Sequence, residues 1–135
     1  MSVEENKAIV RRWIDALNQD QPEVADQLFS PDFEGGRGPT QAKEVHRDVR
    51  TAIPDYVLTV DDWIAEGDKV VTRWTTRGTH RDRLWGMPAS GKQVTWTGIT
   101  IWRIADGKIV QAWQVTDDRR LLQPDESSSP EPSST

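Results

Sequence analysis

The hydrophobic period of this chain changes once, at Ile53-Pro54-Asp55, and that single switch limits what it can fold into. Before it, apolar residues recur at helical spacing; after it, they alternate every second residue. Helices followed by strands, with no helix between the strands, exclude a bundle and a parallel βαβ sheet. The pattern points to an α+β fold in which N-terminal helices close a mostly antiparallel sheet. Ser2 and Glu5 form a capping box in front of Ile9, Trp13, Ala16 and Leu17, a helix ending near Asn18. Pro22 opens a short helix through Val24, Ala25, Leu28 and Phe29, which Ser30-Pro31-Asp32 stops. After the glycine-rich stretch that follows Phe33, Gln41 to Ala52 is a third helix, with Ala42, Val45 and Val49 on one face. Strands are expected over Tyr56–Trp63, Lys69–His80, Lys92–Ile104 and Ile109–Thr116, with turns at Glu66-Gly67-Asp68 and Asp106-Gly107.

A chain of 135 residues suits one domain, here residues 1–123. Residues 124–135, PDESSSPEPSST, hold no apolar side chain larger than proline and are expected to be disordered. Leu121-Leu122 reads as an apolar anchor before that tail. The formal charge is −5, without a basic stripe, so nucleic acid is not an expected partner. The chain has no cysteine, hence no disulfide, thiol nucleophile or thiolate metal site. The opening MSVEENK is no secretory leader and no 18-residue apolar run suggests a membrane span, so a cytoplasmic protein is expected. His46 and His80 show no metal-binding spacing, His46 having charged neighbours that suit a surface position. No phosphate loop is present, and no cofactor or metal is expected.

Strand parity sorts the remaining candidates. Trp74, Thr76, Gly78 and His80 share the expected inner side of their strand; Val94, Trp96, Gly98, Thr100 and Trp102 share a side of the next. Ile99 and Ile101 fall on the opposite side, and an apolar outer face suggests subunit association as a dimer or tetramer. In the last strand Gln111, Trp113, Val115 and Asp117 share a side. If that side faces inward, Asp117 is a carboxylic acid in an apolar setting, fit to exchange protons near neutral pH. The alternative is a solvated Asp117-Asp118 turn. His80 can reach the cavity mouth as a base or hydrogen-bond donor, or end its strand in solvent; Trp13 can line the pocket or pack in the core.

Several segments, in order, carry a family resemblance: Asn6-Lys7 with Val10-Arg11-Arg12-Trp13; Leu28-Phe29-Ser30-Pro31-Asp32-Phe33; Ala65-Glu66-Gly67-Asp68-Lys69; Gly78-Thr79-His80; Gly86-Met87-Pro88; and Asp106-Gly107-Lys108-Ile109 running on to Trp113 and Asp117. The chain resembles the SnoaL-like polyketide cyclases, or ester cyclases, of the NTF2-like superfamily. The resemblance implies a cone-shaped fold around one pocket. It also implies closure of an aromatic polyketide ring by intramolecular aldol condensation, on a hydrophobic polycyclic substrate and without a cofactor. It places the acid/base aspartate at Asp117, an aromatic pocket-wall residue at Trp13, and a variable role at His80. Where anthracycline cyclases carry an assisting histidine, this chain has Trp102-Arg103. On this reading Trp74, Trp96, Trp102 and Trp113 supply flat walls, and Thr76, Thr100 and Gln111 orient carbonyls. A related hydroxylase or other tailoring enzyme, an isomerase or epoxide hydrolase on the same fold, and a non-catalytic binding module are the alternatives.

Overall fold

A computed structural model describes residues 2–34 and 38–117. The expected Leu121-Leu122 anchor, the tail and the domain limit at residue 123 lie outside the described residues. Helix α1 spans Val3–Asn18, a single 3-10 turn Pro22–Val24 leads into α2 (Ala25–Leu28), and α3 spans Pro39–Ala52. Strands β1 (Val57–Glu66), β2 (Lys69–Thr79), β3 (Gln93–Ala105) and β4 (Lys108–Thr116) pair antiparallel in the order β1-β2-β3-β4. The expected α+β architecture is what forms. Helix α3 begins two residues earlier than its apolar pattern suggests, because Pro39 occupies its first turn, where the missing N–H loses nothing. Extra residues at Asp61 in β1 and Val110 in β4 interrupt the register; such bulges bend a strand and sharpen its twist, which curves the sheet.

Two asparagines moor α1 along the edge strand. Asn6 Nδ2 donates to the Gly67 carbonyl at 3.2 Å, at the β1–β2 turn. At the other end, Leu58 N–H donates to Asn18 Oδ1 at 2.8 Å while Asn18 Nδ2 donates to the Leu58 carbonyl at 2.9 Å. The amide of Asn18 therefore replaces a neighbouring strand at one point of the β1 edge, which would otherwise leave both groups unpaired. The capping box forms as expected, with Glu5 N–H on Ser2 Oγ and Ser2 N–H on Glu5 Oε1, and the bond from the Ser2 N–H, above all, holds the Glu5 carboxyl below its usual range.

The core divides in two. One cluster joins α1 and α2 to one end of the sheet through Val10, Trp13, Leu28, Phe29, Trp102, Ile104 and Ile109. The other joins the end of α3 to the opposite end through Val49, Ile53, Tyr56, Trp74, Leu84, Val94 and Trp96.

Between α1, α3 and β1 lies a buried polar latch that corrects the expectation of a surface His46. The ring of His46 is 2% exposed, with Nδ1 2.7 Å from the Tyr56 hydroxyl and Nε2 2.7 Å from Asp20 Oδ1. A carboxylate only accepts, so in the neutral ring Nε2 carries the proton and the Tyr56 hydroxyl donates to Nδ1. Asp20 reaches the ring from a left-handed backbone conformation (φ 57°), which aspartate tolerates better than most residues. Arg50, one helical turn beyond His46, donates to the carbonyls of Leu17, Pro54 and Tyr56 and lies 4.1 Å over the Tyr56 ring. Burial, above all, pushes the Tyr56 phenol up to about 12. The hydrogen bond from His46 holds the Asp20 carboxyl below its ordinary value.

Replacing His46 strands a buried phenol, so His46→Phe is expected to destabilise the fold by about 2 kcal/mol in urea denaturation. Adding Tyr56→Phe to that variant removes the stranded hydroxyl, and the double variant is expected to be no less stable than His46→Phe alone. The Asp20 contribution has the sign of a depressed carboxyl: complete above the ordinary carboxylate range and lost as pH falls through the lowered native value. The stability gap between wild type and Asp20→Asn should therefore be full near pH 6 and close only as pH falls below the ordinary carboxylate range through the lowered native value.

Candidate functional site

The concave face of β2 and β3 carries the residues that parity assigned to it. Thr72, Trp74, Thr76, Trp96, Thr100 and Trp102 are all buried there. Each of the two strands contains a Thr-x-Trp, Thr72-Arg73-Trp74 and Thr100-Ile101-Trp102, and register sets Thr72 opposite Thr100. The two motifs clasp reciprocally. Trp74 Nε1–H donates to Thr100 Oγ1 at 3.0 Å, and Trp102 Nε1–H donates to Thr72 Oγ1 at 3.1 Å. A buried indole N–H left without an acceptor would forfeit about 1–3 kcal/mol, so each threonine hydroxyl permits its tryptophan to be buried. The clasp is a polar band across the inner face, between the two apolar clusters.

Gly98 makes room for it. Gly98 is the register partner of Trp74, and a Cβ added at Gly98 would run into the six-membered part of the Trp74 indole. The ring thus lies flat on β3 and reaches Thr100. Thr100 passes the chain on, its hydroxyl donating to Gln114 Oε1 of β4 at 2.8 Å.

Trp13 packs edge-on to Phe29, ring centres 5.2 Å apart, inside the apolar cluster that also holds Trp102. His80 is 1% exposed and follows Gly78 on the inner face, its backbone tied across the β2–β3 connection to the β3 end through Lys92 O and Gly91 N. Both of its ring nitrogens are without a hydrogen-bond partner among the described residues. That is uncommon for a buried imidazole and leaves two unpaired polar atoms facing the interior.

The last strand is where parity misleads. Ile109 pairs with Ile104 inside, but Val110 is an extra residue, so Gln111 pairs with Arg103 and every later side chain changes face. Ala112, Gln114 and Thr116 point inward. Gln111 and Trp113 lie outside, Gln111 accepting from Arg103 Nε at 3.0 Å and Trp113 44% exposed opposite Ile101. The expected wall of Trp113 and carbonyl-orienting Gln111 is therefore not part of the concave face. Asp117 is exposed just beyond β4, with its N–H donating to the Thr97 carbonyl at 2.8 Å, and the same register continues it on the outer side. Thr97 pairs with Thr75, five residues before His80, so Asp117 and His80 stand roughly 16 Å apart along the sheet and form no pair.

The outer face bears the apolar surface that Ile99 and Ile101 suggested. Ile64, Val71, Ile101 and Trp113 form one row across the strands, with Ile99 and Val115 beside it. Of these, Ile64, Ile99, Trp113 and Val115 are exposed. An open groove of about 560 Å³ follows the first turn of α3, lined in part by Phe33, Gln41 and Glu44. Its Phe33 packs on Phe29, which meets Trp13, so aromatic contacts link groove to core. Among the described residues no group of three or more His, Asp or Glu could hold a metal ion, and no helix is long and apolar enough to cross a membrane.

Because Gly98 accommodates the Trp74 ring, Gly98→Ala is expected to destabilise the protein by about 1–3 kcal/mol in urea denaturation and to red-shift its tryptophan emission.

Comparison with known proteins agrees with this architecture. Among solved structures, AclR from Streptomyces galilaeus, a proposed hydroxylase, is 29% identical with a TM-score of 0.80, over 90% of this chain and 95% of that one. TsrD from Streptomyces laurentii is 27% identical with a TM-score of 0.83, over 92% and 96% of the two chains. IdmH from Streptomyces antibioticus, a proposed polyketide cyclase, is 26% identical with a TM-score of 0.75, over 87% and 95%. No curated protein matches the chain. The family profile for SnoaL-like polyketide cyclase matches residues 7–124, and with that extent the chain belongs to the SnoaL-like polyketide cyclase family.

Proposed function

We propose that the protein closes a ring of an aromatic, anthracycline-type polyketide ester by intramolecular aldol condensation, without a cofactor. The observation that carries this reading is the concave face, where Trp74, Trp96 and Trp102 are interleaved with the hydroxyls of Thr72, Thr76 and Thr100. Flat aromatic walls suit a polycyclic ligand, and the Thr72 and Thr76 hydroxyls among them suit its carbonyls, the Thr100 proton being engaged by Gln114. In the reaction a base removes the proton from a carbon between two carbonyls. The enolate carbon then attacks a ketone carbon, and the carbonyl electrons move to oxygen as an alkoxide. The protonated base returns its proton to that alkoxide, so the product is an isomer of the substrate. Such a carbon acid asks for positioning and a dry site more than for strong bases.

Two groups are candidates for the proton transfer, and their separation means that one acts without the other. The family resemblance favours Asp117. The surroundings favour His80, whose buried, unpartnered nitrogens on the inner face are the ones a substrate proton would complete. We assign the role to His80. A second reading, hydroxylation, draws on the likeness to AclR, a proposed hydroxylase. The outer apolar rows support a homodimer or homotetramer in which Ile99, Trp113 and Val115 are covered by a second copy.

Incubation with a planar tricyclic or tetracyclic polyketide methyl ester, followed by chromatography and mass spectrometry, tests the chemistry. Ring closure gives a product of unchanged mass, whereas hydroxylation adds one oxygen. His80→Leu is expected to lower turnover by roughly 10²–10⁴-fold without loss of stability, since it removes two unpaired polar atoms from the interior. Normal turnover in His80→Leu together with its loss in Asp117→Asn would transfer the role to Asp117. For the assembly, sedimentation velocity should show a dimer or larger species for wild type and a monomer for an Ile99→Glu, Val115→Glu variant.

A further inference from the structure

Gln114 takes no part in the family resemblance, and it occupies the one inward position of β4 that hydrogen-bonds to the clasp. Register pairs it with Thr100, and Thr100 in turn with Thr72, so it extends the polar band to the edge strand. The direction of the bonds in this chain is fixed by chemistry. An indole N–H only donates, so the Thr100 oxygen accepts from Trp74 and the single Thr100 proton goes onward to Gln114. Gln114 must therefore turn its carbonyl oxygen towards Thr100. In the flipped amide the NH₂ would donate to the Thr100 oxygen, and the Thr100 proton would lose this acceptor at a residue only 2% exposed. The Gln114 amide nitrogen is thus held pointing away from Thr100. Its two N–H groups meet no acceptor among the described residues, and Gln114 itself is accessible from outside.

A fixed pair of neutral donors beside indole walls is complementary to the oxygen of a carbonyl or enolate on a flat ligand, and it offers nothing to a cation. We infer that Gln114 binds a carbonyl oxygen of the aromatic keto ester through its Nε2 amide, and that Thr100 and Trp74 are positioning residues that hold the amide in that orientation. This inference rests on the polyketide-ester reading above. It concerns how the ligand is held, and does not depend on whether His80 or Asp117 moves the proton.

The test is a tryptophan-fluorescence titration with the same planar polyketide methyl ester, with turnover followed in parallel. Gln114→Glu keeps an acceptor for Thr100 but loses both donors, and Gln114→Met loses the donors without adding charge. Both are expected to weaken binding roughly tenfold, Gln114→Glu with an unchanged urea midpoint because its carboxylate still accepts from Thr100, and Gln114→Met with a lowered one because the buried Thr100 hydroxyl loses its acceptor. Thr100→Val should weaken binding to a similar degree, Thr100→Ser should restore it, and Thr100→Val should add little in the Gln114→Met background. Wild-type affinity in both Gln114 variants overturns the inference, and wild-type affinity in Thr100→Val overturns the positioning role. Binding by wild type without conversion overturns ring closure while the affinity ratios still decide Gln114. No binding by wild type overturns both.

Discussion

Two indole N–H groups buried on one concave sheet face need acceptors within reach of that face, and the structure is arranged around supplying them. Strand backbone is already engaged in its ladder, so the acceptors must be side chains that are short, inward and one strand away. Thr72 and Thr100 meet that condition because register sets them opposite each other, and because each lies two residues from a tryptophan on its own strand. Gly98 follows as a consequence, since the Trp74 ring can reach Thr100 only across a position without a Cβ. So does the division of the core, where a band of hydroxyls separates the α1–α2 cluster from the cluster at the end of α3. On the function proposed above, the same band would supply the recognition chemistry of the concave face. Polar groups committed to burying tryptophan are held rigidly, and rigid polar groups among aromatic walls are what a flat, carbonyl-bearing ligand requires.

How much of this could be read from sequence depends on whether a segment interacts locally. The switch of period at Ile53-Pro54-Asp55 disclosed the architecture. In β2 and β3, uninterrupted alternation disclosed which side chains face inward, from Trp74 and Thr76 to Thr100 and Trp102. In β4 the same rule failed after two residues. Ile109-Val110-Gln111 has nothing in its composition that announces a bulge, and the extra residue at Val110 exchanges the two faces downstream of it. Strict alternation therefore carries Gln111 and Trp113 to the inner side and passes over Gln114, the reverse of the observed register. His46 was hidden differently. Its sequence neighbours Glu44, Arg47 and Asp48 suit a surface, but its partners Tyr56 and Asp20 stand 10 and 26 residues away and converge only in the fold. The domain limit and the tail fall beyond the described residues.

The two buried histidines show how differently the fold treats the same side chain. His46 has a partner on each nitrogen, and those partners belong to the end of α1 and the start of β1, so its imidazole is a structural strut. His80 has none among the described residues, although it is buried just as fully. Keeping an unpaired imidazole inside works against stability, and an apolar residue of similar volume would avoid that cost. Sites that sacrifice stability in this way are where function is expected to reside, because an unpaired polar atom becomes an asset only when a ligand completes it.

The bulge at Val110 then acquires a functional meaning. Without it, Gln111, Trp113 and Asp117 would face the concave side, and Ala112, Gln114 and Thr116 would face solvent. The inserted residue moves Trp113 outward, where it joins Ile64, Val71 and Ile101 in a single apolar row. It also brings Gln114 inward to the end of the Trp74–Thr100 chain, where its amide orientation is set by groups already fixed in place. One backbone irregularity thus shapes both faces of the sheet, extending the apolar row on the outer one and setting Gln114 on the inner one. Bulges near binding sites are expected to be retained as features of the design rather than as defects, and this one exchanges a bulky indole for a small hydrogen-bonding amide where the ligand would lie.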